Sequence, residues 1–326
     1  MKTAKEIGQD FEKFLEGLKF TRQPENLYAP VNYVLSLGGK RLRPTLLLMA
    51  YDMYAGDKTG SDVYNAAAGI EIFHNFTLLH DDLMDNADMR RGHLTVHRKW
   101  NDNTAILSGD AMLVLAYDML FKIDAKYLPR VLDIANRCFN GIMEGQQYDM
   151  DFENRDDVTV NEYIEMIRLK TSILLAASLE MGAVLGGASS TDASLLYSFG
   201  ENIGLAFQLQ DDLLDVYGDP AVFGKKIGGD ILCNKKTYLY INAYLLADER
   251  QKASLDRWAA YNGNDPEAKI AGVRAIYDEV KVRQLSEQLI GSYFDKAIAF
   301  LDKVNMPDNR KAALRDYANT LLNRQI

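Results

Sequence analysis

"LLHDDLMDNADMRRG", residues 78–92, closes an apolar run with Asp81, Asp82 and Asp85 and follows it with Arg90 and Arg91. A helix turns by about 100° per residue, which places Asp85 about 40° and Asp82 about 100° from Asp81. All three carboxylates therefore share one face at a helix end. The pattern returns in "FQLQDDLLDVYGD", residues 207–219, with Asp211, Asp212 and Asp215 and with Gln208 one turn earlier. A solvated acidic helix end would account for one such motif. Two copies, each ending an apolar helix, call for a shared chemical reason.

Around these motifs the chain reads as helix. Apolar residues recur at three- and four-residue spacing through 60–80, 104–121, 160–185, 192–216, 236–246 and 283–303. Sustained period-two alternation is missing, so no sheet is expected. Thr159 with Glu162 forms a capping box, Asp265 caps a helix that has Pro266 just inside it, and Pro307 opens a last helix. The 326 residues are read as one all-α domain, 1–326, without low-complexity segments.

Composition narrows the function. Hydrophobic residues make up 48% and charged residues 25%, an ordinary globular balance. A net charge of −9 argues against nucleic-acid partners and against an anionic membrane surface. Cys138 and Cys233 have no metal or disulfide spacing and read as free thiols of a reducing compartment. The opening "MKTAKEIGQDFEKFLEGLKF" is amphipathic rather than a leader, and "SILLAASLEMGAVLGG" (172–187) is too short to span a bilayer. A cytoplasmic protein that does not cross the membrane is the expectation.

Clustered carboxylates repel, and each tends to hold a proton unless a cation neutralises it. Hard oxygen ligands suit Mg²⁺, which is often completed by substrate phosphates. The 12-residue loop of an EF-hand is absent. His74, His80, His93 and His97 lack the spacing of a zinc site. Basic islands stand apart from the acids. "LGGKRLRP" (37–44) sets Lys40, Arg41 and Arg43 beside two glycines before a helix with Pro44 in its first turn. Glycines and a helix start let backbone N–H groups approach an anion. Further on lie Arg90–Arg91, Lys170–Thr171, Lys225 and Lys235. Acids and bases together suggest two anion sites, one bridged by metal and one held directly.

Read in order, "GGKRLRP", "HDDLMDNADMRRG", "GQQYD", "KTS", "FQLQDDLLD", "GKKIGGD" and "NKKT" resemble the trans-type, head-to-tail isoprenyl diphosphate synthases, over about residues 30–240. The resemblance implies an all-α, isoprenoid-synthase-type bundle around a deep central cavity, usually a homodimer. It implies three Mg²⁺ ions, with Mn²⁺ as a substitute, on Asp81, Asp85 and Asp211, supported by Asp82, Asp212 and Asp215. Arg90, Lys170, Thr171, Gln208, Lys225 and Lys235 would take the allylic diphosphate, and Lys40, Arg43, His74 and Arg91 the isopentenyl diphosphate. The implied reaction joins isopentenyl diphosphate to dimethylallyl, geranyl or farnesyl diphosphate. A terpene cyclase of the ionising type and a non-catalytic partner subunit are the alternatives. The first is disfavoured by the second Asp-Asp-x-x-Asp, the second by two whole motifs.

Product length should be set upstream of Asp81. At 1.5 Å per residue, Phe76 lies about 7.5 Å and Phe73 about 12 Å below it. On an ideal wheel Thr77 is most nearly beneath the carboxylates, Phe73 about 80° and Phe76 about 140° round. The family instead uses the fifth and fourth positions before the first aspartate as the floor, here Phe76 and Thr77. That pattern, without an insertion in the motif, resembles the geranylgeranyl (C20) type, with farnesyl (C15) next.

Overall fold

The computed structural model describes residues 2–56, 60–219 and 227–322. The chain begins with α1 (Ala4–Gly17), α2 (Glu25–Ser36), α3 (Leu42–Ala55) and α4 (Ser61–Met84). A small hairpin, β1 (Met89–Arg90) and β2 (His93–Leu94), leads into α5 (Val96–Lys99), α6 (Asp102–Leu120) and α7 (Leu128–Glu153). Then come α8 (Val160–Ile167), a π-helical turn (Arg168–Ser172), α9 (Ile173–Gly186) and α10 (Ser190–Tyr217). The rest is α11 (Gly229–Leu232), α12 (Tyr238–Leu246), α13 (Glu249–Ala259), α14 (Pro266–Glu279), α15 (Val282–Lys303) and α16 (Asp308–Leu322). The fold is all-α, as the periodicity predicts.

The capping signals act as read. Thr159 and Glu162 exchange the two bonds of a capping box, and the Asp265 side chain accepts from the Ala268 N–H, with Pro266 opening α14. Pro307 stands one residue ahead of α16. Two features differ from the expectation. The hairpin pairs Met89 with Leu94 and Arg90 with His93, and strands of two residues are too short to show alternation. The helix expected over 160–185 contains a π turn, Arg168–Ser172, which its apolar periodicity does not signal.

Internal packing divides the chain into two compact units. The first holds Met1–Asn136, Ala177–Tyr197 and Val304–Leu314. Its central helix is α4, buried almost all round through Ala66, Ala67, Ala68, Ile70, Ile72 and Phe73. A helix apolar on every side belongs inside a core. The second unit holds Arg137–Ala176, Ser198–Lys303 and Arg315–Ile326, with Leu209 and Leu213 of α10 packed among Tyr163, Leu239 and Tyr277. The continuous helical run Val160–Gly186 is long and apolar enough to cross a membrane, but 78% of its most apolar window is buried inside the protein. It is a core helix by that measure.

Candidate active site

The first acidic motif ends α4. Asp81 and Asp82 lie in its last turn, and Asp85 caps it, its N–H bonded to the Asp81 carbonyl at 2.8 Å. The second motif occupies the last turns of α10. Helix C-termini carry the negative end of the backbone dipole, where carboxylates are disfavoured by about 0.3–1 kcal/mol each. Both motifs thus break a local rule in the same way, and a cation is what such an arrangement calls for.

In the first unit that cation is Arg90. Its Nε donates to Asp82 at 2.7 Å, and its guanidinium reaches Asp81 at 3.3 Å. Burial pushes the Asp82 carboxyl up to about 6, against the pull of Arg90. The hairpin aims these arginines: Arg91 (φ 53°) and Gly92 (φ 78°) both take left-handed conformations, as a two-residue primed turn demands. Arg91 turns the other way, donating to the Gly38 carbonyl.

Gly38 (φ 72°) and Gly39 (φ 138°) form the loop ahead of α3. A Cβ on Gly39 would meet the Arg91 guanidinium at 2.9 Å, so only glycine leaves that charge next to the loop backbone. Lys40 is exposed at the same place. Arg43 donates to His74 Nε2 at 3.1 Å. Burial and then the neighbouring Arg43 hold His74 well below the usual imidazole range, so the ring is neutral and Nε2 is free to accept. Arg41 departs from its reading as part of a basic island. It is buried and pairs with Glu71 at 2.7 Å and Glu12 at 2.8 Å. It is the strut that fixes the loop, not a free cation.

Below Asp81, Phe76 is buried, 5.5 Å from Phe73 and 4.8 Å edge-on to His80 (ring centroids). His80 fills the space a Cβ on Gly109 of α6 would need. The Thr77 hydroxyl folds back onto the His74 carbonyl at 2.8 Å. Its polar atom is spent on its own helix, leaving the methyl as its outward chemistry.

In the second unit a pocket of about 210 Å³ is lined by Asp211, Asp212, Asp215, Gln208, Lys170, Thr171 and Lys235, among others. All seven are among the site residues expected from the sequence, and the fold brings them to one place. Lys170 and Thr171 sit on the π turn, a local distortion frequent at functional sites. Lys170 pairs with Asp149 at 2.6 Å, and Thr171 donates to Gln208 Oε1 at 3.1 Å. Gln208 in turn donates to Asp212 at 3.0 Å, and the Tyr163 hydroxyl donates to the other Asp212 oxygen. Burial, and then Asp230, push the Asp212 carboxyl up. The Asp230 N–H donates to Asp215 at 3.0 Å. Lys225 lies outside the described residues.

Tyr163, Asp149 and Asp230 are not among the expected site residues. The last two fall within the motifs "GQQYD" and "GKKIGGD", which signalled them. Tyr163 lies in an ordinary amphipathic helix, with nothing to mark it. Among the described residues no three His, Cys, Asp or Glu side chains already form a metal cage. The donors are nonetheless all oxygen and anionic, the set that Mg²⁺ takes.

Residues 24–280 match the polyprenyl synthetase family. The chain belongs to that family. It is a prenyl diphosphate synthase, a prenyltransferase. Among its relatives, the geranylgeranyl diphosphate synthase of Methanosarcina mazei is 43% identical over 231 residues, 70% of each chain. A crystal structure of a geranylgeranyl pyrophosphate synthase is 42% identical, with a TM-score of 0.94 over 100% of both chains. Another, from Corynebacterium glutamicum, complexed with isoprenyl diphosphate and magnesium, is 30% identical, with a TM-score of 0.87 over 99% of this synthase and 98% of that chain.

Proposed function

We propose that this synthase joins isopentenyl diphosphate head to tail to an allylic diphosphate and releases geranylgeranyl diphosphate. The observation that carries the reading is the pair of intact acidic motifs, each on a helix C-terminus and each with cationic side chains beside it. Similarity to geranylgeranyl synthases along the chain supports the C20 product. The family match covers parts of both compact units, which supports one synthase domain.

Asp81, Asp85 and Asp211 would hold Mg²⁺, three ions by the family's pattern, with Asp82, Asp212 and Asp215 behind them. When bound, the metal supplies positive charge for the leaving diphosphate. Arg90, Lys170 and Lys235, with Lys225, add charge of their own around it. Thr171 and Gln208 present polar atoms that are already oriented by each other. The allylic C–O bond breaks, its electron pair leaving with the diphosphate. The double bond of isopentenyl diphosphate, held by Lys40, Arg43 and Arg91, then supplies the electrons of the new C–C bond. His74 positions Arg43 rather than taking a proton, since the imidazole is already an acceptor for the guanidinium. The proton lost from the coupled product passes to the departed diphosphate. Phe152, Met166 and Ile167 on the pocket wall would help keep water from the cation.

Phe76 and Thr77 form the floor in this reading, with Phe73 behind Phe76. Phe76→Ala should shift the main product beyond C20, and Thr77→Phe should shorten it to C15. Chromatography of labelled products from isopentenyl diphosphate, Mg²⁺ and each allylic primer in turn reads both. Unchanged distributions in the two variants would remove the floor assignment. The same incubation tests the function itself: a hydrocarbon product would indicate a cyclase, and no reaction a partner subunit.

A homodimer is the assembly we infer. Leu107, Val114 and Phe121 recur every seven residues along α6 and its end and are each more than half exposed, with Ile106 beside them. Such a stripe is the kind of surface that a second copy covers. Val114→Glu is expected to move the protein from dimer to monomer in light scattering at micromolar concentration. A dimer of undiminished stability would place the interface elsewhere.

A further inference from the structure

Beside the diphosphate pocket, within the second unit, lies a larger cavity of about 680 Å³. Its size is that of a small-molecule site. Three aspartates, Asp156, Asp157 and Asp256, line it against one lysine, Lys236. Its wall carries Tyr240 and Tyr244, one turn apart on α12, with ring centroids 6.2 Å apart and planes at 25°. The neighbouring Asp256 carboxylate pushes the Tyr244 hydroxyl up.

Both rings already draw ammonium groups from the protein itself. Lys236 Nζ lies 4.8 Å from the Tyr240 centroid and 3.1 Å from an Asp156 oxygen. Lys252 Nζ lies 5.9 Å from the Tyr244 centroid. An ammonium between a carboxylate and an aromatic face is a recognition mode for organic cations. We propose that this cavity binds a small organic cation bearing an apolar group, with its charge on Asp156 and its body against Tyr240 and Tyr244. The acidic rim disfavours an anion, and a neutral apolar ligand would leave the carboxylates without use.

The occupant would have a second effect. Lys236 lines both this cavity and the 210 Å³ pocket that contains Asp211 and Asp212. A cation that takes Asp156 competes Lys236 away from it. The released ammonium adds positive charge where the allylic diphosphate is to bind, so the cation acts as an activator. This coupling rests on the proposed synthase reaction; the binding site does not.

Benzyltrimethylammonium, a permanent cation that forms no micelles, is a suitable probe, with benzyl alcohol as the neutral control. Calorimetric titration into the full chain without substrates should show saturable binding of the cation only. Asp156→Asn, at an exposed side chain, and Tyr244→Leu, at a half-buried one, should each weaken it at least fivefold. Absent binding, equal binding of the alcohol, or binding unchanged in both variants but lost in Asp211→Asn would overturn the site. In the condensation assay, saturating probe should lower the KM for the allylic diphosphate about threefold, and not in Lys236→Met. An unchanged KM in the active enzyme would overturn the coupling. A chain that binds the probe but makes no product would refute the synthase reading and leave the site standing.

Discussion

Asp81→Ala is expected to lower kcat/KM for condensation by about 10³-fold or more, some 4 kcal/mol of transition-state stabilisation. The side chain sits in the last turn of α4. The fold should lose nothing with it. Asp81 faces the negative end of the helix dipole and a second carboxylate on Asp82, while its ion pair with Arg90 is long, at 3.3 Å, and partly exposed. Thermal unfolding of Asp81→Ala should therefore stay level or rise by a degree or two, the usual trade between a charged site and stability. Steady-state kinetics with Mg²⁺ and a melting curve measure both. Near-normal turnover would exclude Asp81 as a metal ligand.

Gly145→Ala should produce the next largest loss, although Gly145 has no side chain to offer a substrate. A Cβ there would lie 2.4 Å from the Lys170 backbone nitrogen. The clash is with main chain, so no rotamer change relieves it, and the π turn must move. From the other side, a Cβ on Gly204 of α10 would lie 2.5 Å from the Ser172 Cα. The turn is held between two glycines, and Lys170 and Thr171 are placed by that confinement. We expect Gly145→Ala to lower kcat/KM about 10²-fold and to cost about 1–3 kcal/mol of stability in a denaturant melt. Gly204→Ala should behave alike. Full activity in both would show that the π turn does not set the position of Lys170.

These two cases also show why the sequence was legible in parts. Asp81 announces itself, because a carboxylate cluster closing an apolar helix is written in adjacent letters and then repeated. Helix ends were legible for the same reason: Thr159 with Glu162, and Asp265 with Pro266, are local signals. Gly145 is not local. Its role depends on Lys170, 25 positions on, and becomes visible only when α7 and the π turn are packed. Tyr163 holds Asp212 from a helix whose pattern differs in nothing from an ordinary core helix. Arg41 misleads in the opposite direction. It stands between Lys40 and Arg43 as a third basic residue, yet Glu71 and Glu12, distant in sequence, claim it. Phe76 shows a further limit. An ideal wheel places it away from the carboxylates, and only the structure shows its ring lying between Phe73 and His80 of the same helix.

The hairpin at Met89–Leu94 joins two neighbours that have different obligations. Arg90 holds the carboxylates of Asp81 and Asp82, while Arg91 reaches back to the loop of Gly38 and Gly39. Consecutive residues cannot move apart by more than one peptide unit, about 3.8 Å between α-carbons. If each arginine receives one diphosphate, the hairpin tethers the two co-substrates to each other, with an offset bounded by one peptide unit and the reach of two side chains. A glycine inserted between Arg90 and Arg91 would keep both side chains, lengthen the turn and widen that spacing. Such a variant would separate the binding of two substrates from their alignment.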